Sequence, residues 1–316
     1  MTTPPDAGSL TRESDPTAPR MADSPTPRHR LPAWLRAIRP KQWTKNVLVL
    51  TAPLAAGRIH EVNVLVDTLL AMVCFIMVSA AVYLLNDVHD IEADRAHPKK
   101  RFRPIAAGEL PVPVAWVMAI VLGLGGVGLG LWVSGPLAVT LGCYMVIQFL
   151  YSGFLKDLPV IDLAVVASGF LLRAVAGGVA TGIPLSQWFL LVASFGSLFM
   201  VAGKRYAEMR ALGPAAGTRK SLAGYTESYL KFVWELAAVA VVMCYSLWAF
   251  EQRALGEMKV LWSALSIFPF AMAMLQYAYR IDRGEGGAPE EVVLHDRVLI
   301  ALGALWLIFI FLAVFV

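Results

Sequence analysis

The stretch NDVHDIEAD, residues 86–94, follows a long apolar run and decides how the rest of the chain is interpreted. If the helix of the apolar run continues into this stretch, Asn86, Asp90 and Asp94 recur every fourth residue on one face, with Asp87 beside them. Carboxylates placed so close together repel each other unless positive charge lies between them. The stretch therefore predicts either a cation site or a solvated acidic segment whose charges are met by the basic residues that follow.

The candidate donor atoms of these four residues favour magnesium as the cation. They are all carboxylate or amide oxygens, which Mg²⁺ prefers, whereas zinc sites are built mainly from nitrogen and sulfur. Mg²⁺ that is held by one or two carboxylates usually shares its coordination shell with substrate phosphates. We therefore expect a metal-bound diphosphate at the mouth of a membrane-embedded cavity.

The composition is that of a polytopic, all-α membrane protein. Of the 316 residues, 58% are hydrophobic and only 16% are charged, against ~25% charged in soluble proteins. A membrane-spanning helix needs ~20 mostly apolar residues. Nine spans are predicted at 43–57, 64–85, 112–133, 136–155, 160–181, 185–203, 229–250, 258–280 and 295–316. The first is the shortest, and Pro269 is expected to kink the eighth.

The remaining segments complete the predicted domain organisation. Residues 1–30 are rich in Pro, Ser, Thr, Asp and Arg and predict a disordered tail. Residues 31–40 place Trp34, Leu35 and Ile38 on one face of a short helix, which is typical of a helix on the membrane surface. Residues 31–316 are therefore expected to form a single transmembrane catalytic domain.

The distribution of basic residues predicts the orientation. Of the 27 Lys and Arg residues, 23 fall on the side of the tail and the acidic stretch, three fall on the opposite side, and Arg173 lies within a span. Basic residues are concentrated on the cytoplasmic side of membrane proteins. The tail and the acidic stretch are therefore expected to face the cytoplasm, in the plasma membrane of the cell. Some basic clusters are also expected to meet anionic membrane lipids; no nucleic-acid partner is predicted, and the oligomeric state stays open.

Asp162 and Arg173 are charged residues inside the fifth predicted span. They lie 11 residues apart, or about 16 Å along a helix, so they cannot pair with each other directly. Intramembrane charges are costly and usually face a cavity or a partner on another helix. Two interpretations are open: both residues line a polar pocket, or each is paired structurally with a neighbouring helix.

The acidic stretch, with RPIAAG at residues 103–108, resembles the first aspartate motif of the UbiA-type intramembrane prenyltransferase superfamily. The resemblance implies a helical bundle around a central cavity, with Mg²⁺-diphosphate at its cytoplasmic end. Ordinary members carry a second aspartate-rich run after the sixth span. Here the corresponding loop is the basic stretch KRYAEMR at residues 204–210.

Four further stretches resemble one branch of this superfamily, which transfers a phosphoribosyl group. They are RPKQWTKN at 39–46, LKD at 155–157 with VID at 160–162, FLLRAVAGG at 170–178, and KR at 204–205 with RKSL at 219–222. This resemblance implies 5-phosphoribosyl diphosphate (PRPP) as donor and a polyprenyl phosphate, such as decaprenyl phosphate, as acceptor. The product would feed the lipid-linked arabinose donor of cell-wall arabinogalactan and lipoarabinomannan. One acidic metal site with several basic clusters suits substrates that carry three separate phosphate groups.

The candidate site residues follow from these clusters and from the resemblance. The candidate catalytic residues are Asp87, Asp90, Asp94, Lys156 and Asp162. The candidate metal ligands are Asn86, Asp87, Asp90 and Asp94. The candidate substrate-binding residues are Lys41, Lys45, Asn46, Asn86, Arg101, Arg103, Lys156, Asp157, Asp162, Arg173, Lys204, Arg205, Tyr206 and Arg219. Among these, Lys204, Arg205 and Arg219 are expected to hold the acceptor phosphate.

Two other functions are compatible with parts of the sequence. A prenyltransferase that uses a prenyl diphosphate would share the acidic stretch, but the basic residues at 204–210 disfavour it. A transporter would use the charges in the fifth span as an ion path. No inverted repeat is visible, and the polar residues gather at one face of the membrane rather than at its midplane, which disfavours alternating access.

Overall fold

The structure is a computed structural model that describes residues 31–212, 224–251, 257–287 and 289–315. The tail predicted for residues 1–30 and the candidate residue Arg219 lie outside this part of the chain. The described residues form helices joined by turns and loops, as the composition predicts. The elements are α1 (Ala33–Ala37), the 3₁₀ helix η1 (Pro40–Leu50), α2 (Thr51–Ala55), α3 (Val62–His89), α4 (Ile91–Ala96), the 3₁₀ helix η2 (Lys100–Phe102), α5 (Val112–Val133), α6 (Gly135–Gly153), the 3₁₀ helix η3 (Leu155–Asp157), α7 (Ile161–Thr181), α8 (Gln187–Leu212), α9 (Glu227–Glu251), α10 (Glu257–Asp282), α11 (Pro289–His295) and α12 (Arg297–Phe315).

Eight helices within the described residues are long and apolar enough to cross a membrane, namely α3, α5, α6, α7, α8, α9, α10 and α12. They match eight of the nine predicted spans. The first predicted span, 43–57, instead consists of an 11-residue 3₁₀ helix followed by a five-residue α-helix. Neither piece has the length of an α-helical span, so the number nine is not confirmed. The all-α polytopic fold class is confirmed.

The helix of the second predicted span continues into the acidic stretch, as predicted, but it bends there. α3 ends at His89, and Asp90, with φ −93° and ψ 13°, separates it from α4. The four-residue hydrogen-bond spacing survives the bend, because Asp90 N–H donates to the Asn86 carbonyl and Asp94 N–H to the Asp90 carbonyl.

The predicted position of the end of the sixth span was wrong. The span was expected to end at residue 203 and to be followed by a loop, whereas α8 continues to Leu212. Lys204 and Arg205 therefore lie on a helix, together with the strong helix formers Ala207 and Met209. The sequence contains no helix-breaking pair in this region until Gly213-Pro214.

Three clusters of buried apolar side chains hold the helices together. One lies among α7, α8, α9, α10 and α12 and includes Phe199, Trp234 and Tyr277. A second lies among η1, α3, α6 and α7, and a third lies beneath the acidic stretch. Within a membrane such packing rests on van der Waals contact, which favours close approach of backbones at small residues. We call the end of the bundle where α3 and α6 end and α7 begins the polar end, because the candidate site residues gather there.

The first segment, which we define as η1 and α2 together, lies against α7 at Gly177. A Cβ atom on Gly177 would lie 3.0 Å from the Val49 carbonyl carbon and would overlap the Val49 carbonyl oxygen. The Cδ atom of Pro53 would lie 3.1 Å from the same position. Only glycine therefore allows η1 and α2 to lie against α7 without a backbone shift.

We predict that Gly177→Ala destabilises the protein by about 1–3 kcal/mol, the usual cost of overpacking a core. The measurement is the thermal unfolding midpoint of the purified protein in detergent. Gly142→Ala is the matched control, since a Cβ at Gly142 meets no atom within 4 Å. Equal unfolding midpoints for the two variants would show that the first segment does not rest against α7.

Candidate functional site

Asp87 and Asp94 are buried at the polar end and share one arginine. They are 2% and 1% exposed. The Arg103 Nη1 donates to Asp87 Oδ1 at 3.0 Å and to Asp94 Oδ2 at 2.7 Å. Lys100 Nζ lies 3.8 Å from the other Asp94 oxygen. Two carboxylates that share one guanidinium nitrogen must face each other, so α3, α4 and the segment after η2 converge at this point.

Arg39 supplies a second guanidinium to Asp87 from the residue before η1. The two side chains are ion-paired, and the Arg39 guanidinium carbon lies 4.8 Å from the centre of the Tyr83 ring. The Arg39 backbone has φ 52° and ψ 65°, a left-handed conformation that is uncommon for residues other than glycine. Such a conformation costs on the order of 1–3 kcal/mol and persists when surrounding contacts enforce it. The chain turns at Arg39 into η1, and the Arg39 side chain reaches Asp87 from this turn.

Asn86 and Asp90 face different neighbours, namely the last turn of α6 and η3. Asn86 Oδ1 accepts a hydrogen bond of 2.7 Å from the Ser152 hydroxyl. Asp90 Oδ1 lies 3.7 Å from Lys156 Nζ, and both side chains are partly exposed. Asn86 and Asp90 thus contact the end of α6 and η3, whereas Asp94 contacts Arg103 together with Asp87, seven residues earlier in the chain.

The donor set still fits magnesium, although it does not form a protein cage. Within the described residues, no three His, Cys, Asp or Glu side chains are arranged to hold a metal ion together. Mg²⁺ does not need such a cage, because it is usually bound by one or two carboxylates, with waters and substrate phosphates completing its shell. The carboxylate and amide oxygens at the end of α3 meet this requirement.

The Lys156 segment is held in place by Tyr225. Val160, at the start of α7, has φ 69°, which is a strained value for a β-branched residue. Its N–H donates to the Tyr225 hydroxyl. Burial raises the pKa of that hydroxyl, so it stays protonated at neutral pH. Tyr225 therefore fixes the backbone between Lys156 and α7.

Asp162 and Arg205 form a buried ion pair between α7 and α8. Arg205 Nη2 donates to Asp162 Oδ1 at 2.7 Å, and the Tyr151 hydroxyl donates to the same oxygen at 2.8 Å. Both charged residues are buried. Of the two interpretations left open by the sequence, these contacts favour structural pairing for Asp162. They also engage Arg205, which was expected to hold the acceptor phosphate.

Arg173 is buried deeper in α7 and joins three elements. Its Nε donates to Asn46 Oδ1 at 2.9 Å, its Nη1 to the Gly169 carbonyl at 2.6 Å and its Nη2 to the Tyr144 hydroxyl at 3.1 Å. Asn46 is itself buried. The structure thus brings together two predicted site residues, Asn46 and Arg173, that are far apart in sequence.

The other predicted site residues are spread over the polar end. Lys41, Arg101 and Asp157 are exposed. Lys45 Nζ lies 5.9 Å from the centre of the Phe170 ring. Lys204 Nζ lies 3.8 Å from Glu208 one turn further along α8. Tyr206 is buried in the apolar core, and its hydroxyl lies 3.2 Å from Asp282 Oδ1, so it does not join the acidic cluster.

Sequence reasoning did not select Arg39, Lys100, Tyr144, Gln148 and Ser152 as site residues. The first two belong to basic stretches in which any member is an equally good partner for a carboxylate. The last three form a detectable signal, because they are polar residues at four-residue intervals within an apolar span. Their spacing places them on one face of α6.

Comparison with known proteins assigns the chain to a family. Residues 47–301 match the UbiA prenyltransferase family. The chain is 50% identical over 296 residues to the decaprenyl-phosphate phosphoribosyltransferase of Corynebacterium glutamicum, covering 92% of this chain and 89% of the relative. It is 52% identical over 279 residues to the protein of the same name from Mycobacterium tuberculosis, covering 86% of this chain and 91% of the relative.

Solved structures show the same fold at low sequence identity. A UbiA homologue from Archaeoglobus fulgidus bound to DMAPP and Mg²⁺ aligns with a TM-score of 0.64 at 17% identity, covering 89% of this chain and 97% of that one. A digeranylgeranylglyceryl phosphate synthase aligns with a TM-score of 0.62 at 18% identity, covering 89% of this chain and 96% of that one. The fold, the family match and the two relatives agree: the chain is an integral membrane protein that belongs to the UbiA prenyltransferase family.

Proposed function

We propose that this protein transfers the 5-phosphoribosyl group of PRPP to decaprenyl phosphate and releases diphosphate. The geometric observation that carries the proposal is the meeting of carboxylates and several cations at one end of the bundle. Arg39, Arg103 and Lys100 surround Asp87 and Asp94. The names of relatives that are at least 50% identical over most of their length support the same activity.

The charges of the substrates match those of the polar end. The donor carries a diphosphate and a separate 5-phosphate, and the acceptor brings a further phosphate. A prenyl diphosphate with a neutral acceptor would require fewer cations. Arginine binds phosphate oxygens with two parallel N–H donors and lysine binds them as a point charge, so Arg39, Arg103, Lys100 and Lys156 are assigned to substrate phosphates.

The carboxylates are assigned to the metal. Asp87, Asp90 and Asp94 would hold Mg²⁺ on the donor diphosphate, with Asn86 as a further oxygen ligand or as a positioning residue. When bound, Mg²⁺ neutralises the negative charge that builds on the departing diphosphate. The basic residues around the carboxylates neutralise the same charge from the protein side.

The reaction breaks the bond between C1 of the ribose and the diphosphate oxygen, which keeps the electron pair. Positive charge develops at C1 as in other glycosyl transfers, and an oxygen of the lipid phosphate forms the new bond from the opposite face. The lipid phosphate is already ionised at neutral pH, so the protein needs no general base for this attack. The polar end is assigned to the cytoplasmic side of the plasma membrane, since most Lys and Arg residues fall on that side.

We predict that Asp90→Ala lowers turnover by at least about 100-fold, because charge on the leaving group loses its stabilisation. Asp90 is a better target than Asp87, because Asp87 is buried and its removal would also break its ion pairs with Arg39 and Arg103. The assay offers labelled PRPP, decaprenyl phosphate and Mg²⁺, with a labelled prenyl diphosphate as the competing donor. Asp67→Ala, at the other end of α3, is the control and should retain activity. Near-normal Mg²⁺-dependent turnover by Asp90→Ala would refute the metal assignment.

Lys204 is assigned to the acceptor phosphate, since Arg205 is engaged by Asp162. We predict that Lys204→Ala raises the KM for the lipid by about tenfold, the value of one charged hydrogen bond, and raises the KM for PRPP less. Lys231→Ala is the control, because its side chain is 44% exposed against 41% for Lys204 and also faces a glutamate one turn away. A larger increase in the KM for PRPP than in the KM for the lipid would instead assign Lys204 to the donor site.

Asp162 is assigned a positioning role, because it touches Arg205 and Tyr151 and is buried. Asp162→Ala should destabilise the protein by about 3–5 kcal/mol, since it removes the carboxylate that pairs with a buried cation. The double variant Asp162→Leu with Arg205→Met removes both charges and should recover most of that stability. The stability of the single variant and that of the double variant are measured as unfolding midpoints, and the turnover of each is measured in parallel. A double variant that is stable but inactive would instead place Asp162 in contact with substrate.

A further inference from the structure

Arg173 is a buried cation whose partners are neutral. It is 5% exposed, and within the described residues its hydrogen bonds go to an amide oxygen, a hydroxyl and a backbone carbonyl. A guanidinium has five N–H donors, so two are left after these three bonds. The rings of Phe75, Tyr144 and Phe170 lie 5.0–5.9 Å from its carbon. Such rings offset part of the cost of burying the charge, and an anion would offset more.

Gln148 directs a second donor at the same place. Its side chain is half-buried and makes no hydrogen bond within the described part of the chain. A Cβ atom on Gly169 would lie 3.2 Å from Gln148 Nε2 and 3.6 Å from Arg173 Nη1. The two nitrogens therefore lie beside Gly169, within reach of one anion, and the glycine places no side chain between them. Nitrogens from α6 and α7 that converge in this way are typical of an anion site.

A polar stripe connects this place with the acidic cluster. Tyr144, Gln148 and Ser152 lie at four-residue intervals along α6. The Tyr144 end contacts Arg173, and the Ser152 end contacts Asn86. From Tyr144 to Ser152 the stripe extends over nine residues, or about 12 Å of helix. A pentose that carries phosphate groups at its two ends can span such a distance.

We propose that Arg173 and Gln148 bind the 5-phosphate of PRPP while its diphosphate lies at the acidic cluster. This assignment rests on the proposed function and extends it to donor selection. A prenyl diphosphate would place hydrocarbon against a buried cation and an amide, both of which would then stay without an anion. Sites built to bind a polar group strongly disfavour an analogue that lacks it.

The test compares PRPP with ribose 1-diphosphate, which lacks the 5-phosphate, in the purified full-length protein. The variants are Gln148→Leu and Arg173→Lys, and Val146→Ala is the control because it is exposed on another face of α6. We expect the kcat/KM for PRPP divided by the kcat/KM for ribose 1-diphosphate to fall at least tenfold in both variants, because the KM for PRPP rises. KM for the lipid should change little, and the control should keep the wild-type ratio.

A binding measurement separates this assignment from the proposed function. Thermal stabilisation of the protein by PRPP should fall in the two variants, whereas stabilisation by Mg²⁺ with inorganic diphosphate should remain. An equal loss with both donors, or a larger effect on the lipid KM, would overturn the 5-phosphate assignment. Wild-type protein that transfers nothing from PRPP would overturn the proposed function itself. If Arg173→Lys does not accumulate in folded form, Gln148→Leu decides the test, since that side chain supports no hydrogen bond in the described residues.

Discussion

The rest of the polar end depends on the ion pairs that Arg103 makes with Asp87 and Asp94. Burying two carboxylates near each other is unfavourable unless positive charge lies between them. The segment that carries Arg103 is held down by the buried side chains of Ile105 and Leu110, which pack with Leu84 of α3. Apolar packing thus places the guanidinium, and the guanidinium allows α3 to end with buried acids. Without the apolar packing, the guanidinium would not be held beside the carboxylates. Without the guanidinium, the two buried carboxylates would lack the positive charge between them.

The first segment is positioned by a different constraint. Its backbone lies against α7 at Gly177, where no side chain fits, and its Asn46 accepts a hydrogen bond from Arg173. Arg39 precedes the same segment and reaches Asp87. One short element therefore links the deep cation of α7 with the acidic end of α3. This explains why a segment that lacks the length of an α-helical span still has a defined place in the bundle.

The sequence predicts the long helices well, because each needs only an apolar run of sufficient length. It also predicts that the acids at 86–94 are a site, because their spacing within a helix is local information. The interruption of the helix at Asp90 was not predicted, since no proline or glycine marks it. The partners of Asp162 and Arg173 were not predictable, because Arg205 and Asn46 come from other helices and only tertiary packing brings them near. The extension of α8 was predictable from residue propensity, but the basic composition led us to expect a loop.

Exposure distinguishes the ion pairs of the site from those of the scaffold. In the pair of Asp162 and Arg205 both side chains are buried, so neither can exchange its partner without opening the helices. At the acidic cluster only the carboxylates are buried, whereas the side chains of Arg39 and Arg103 are 27% and 28% exposed. These cations keep donors on their outer side, and they can bind a phosphate while the carboxylates stay in place. An arrangement of fixed acids with accessible cations suits a site that admits charged substrates repeatedly, because the groups that meet substrate can turn without repacking of the bundle.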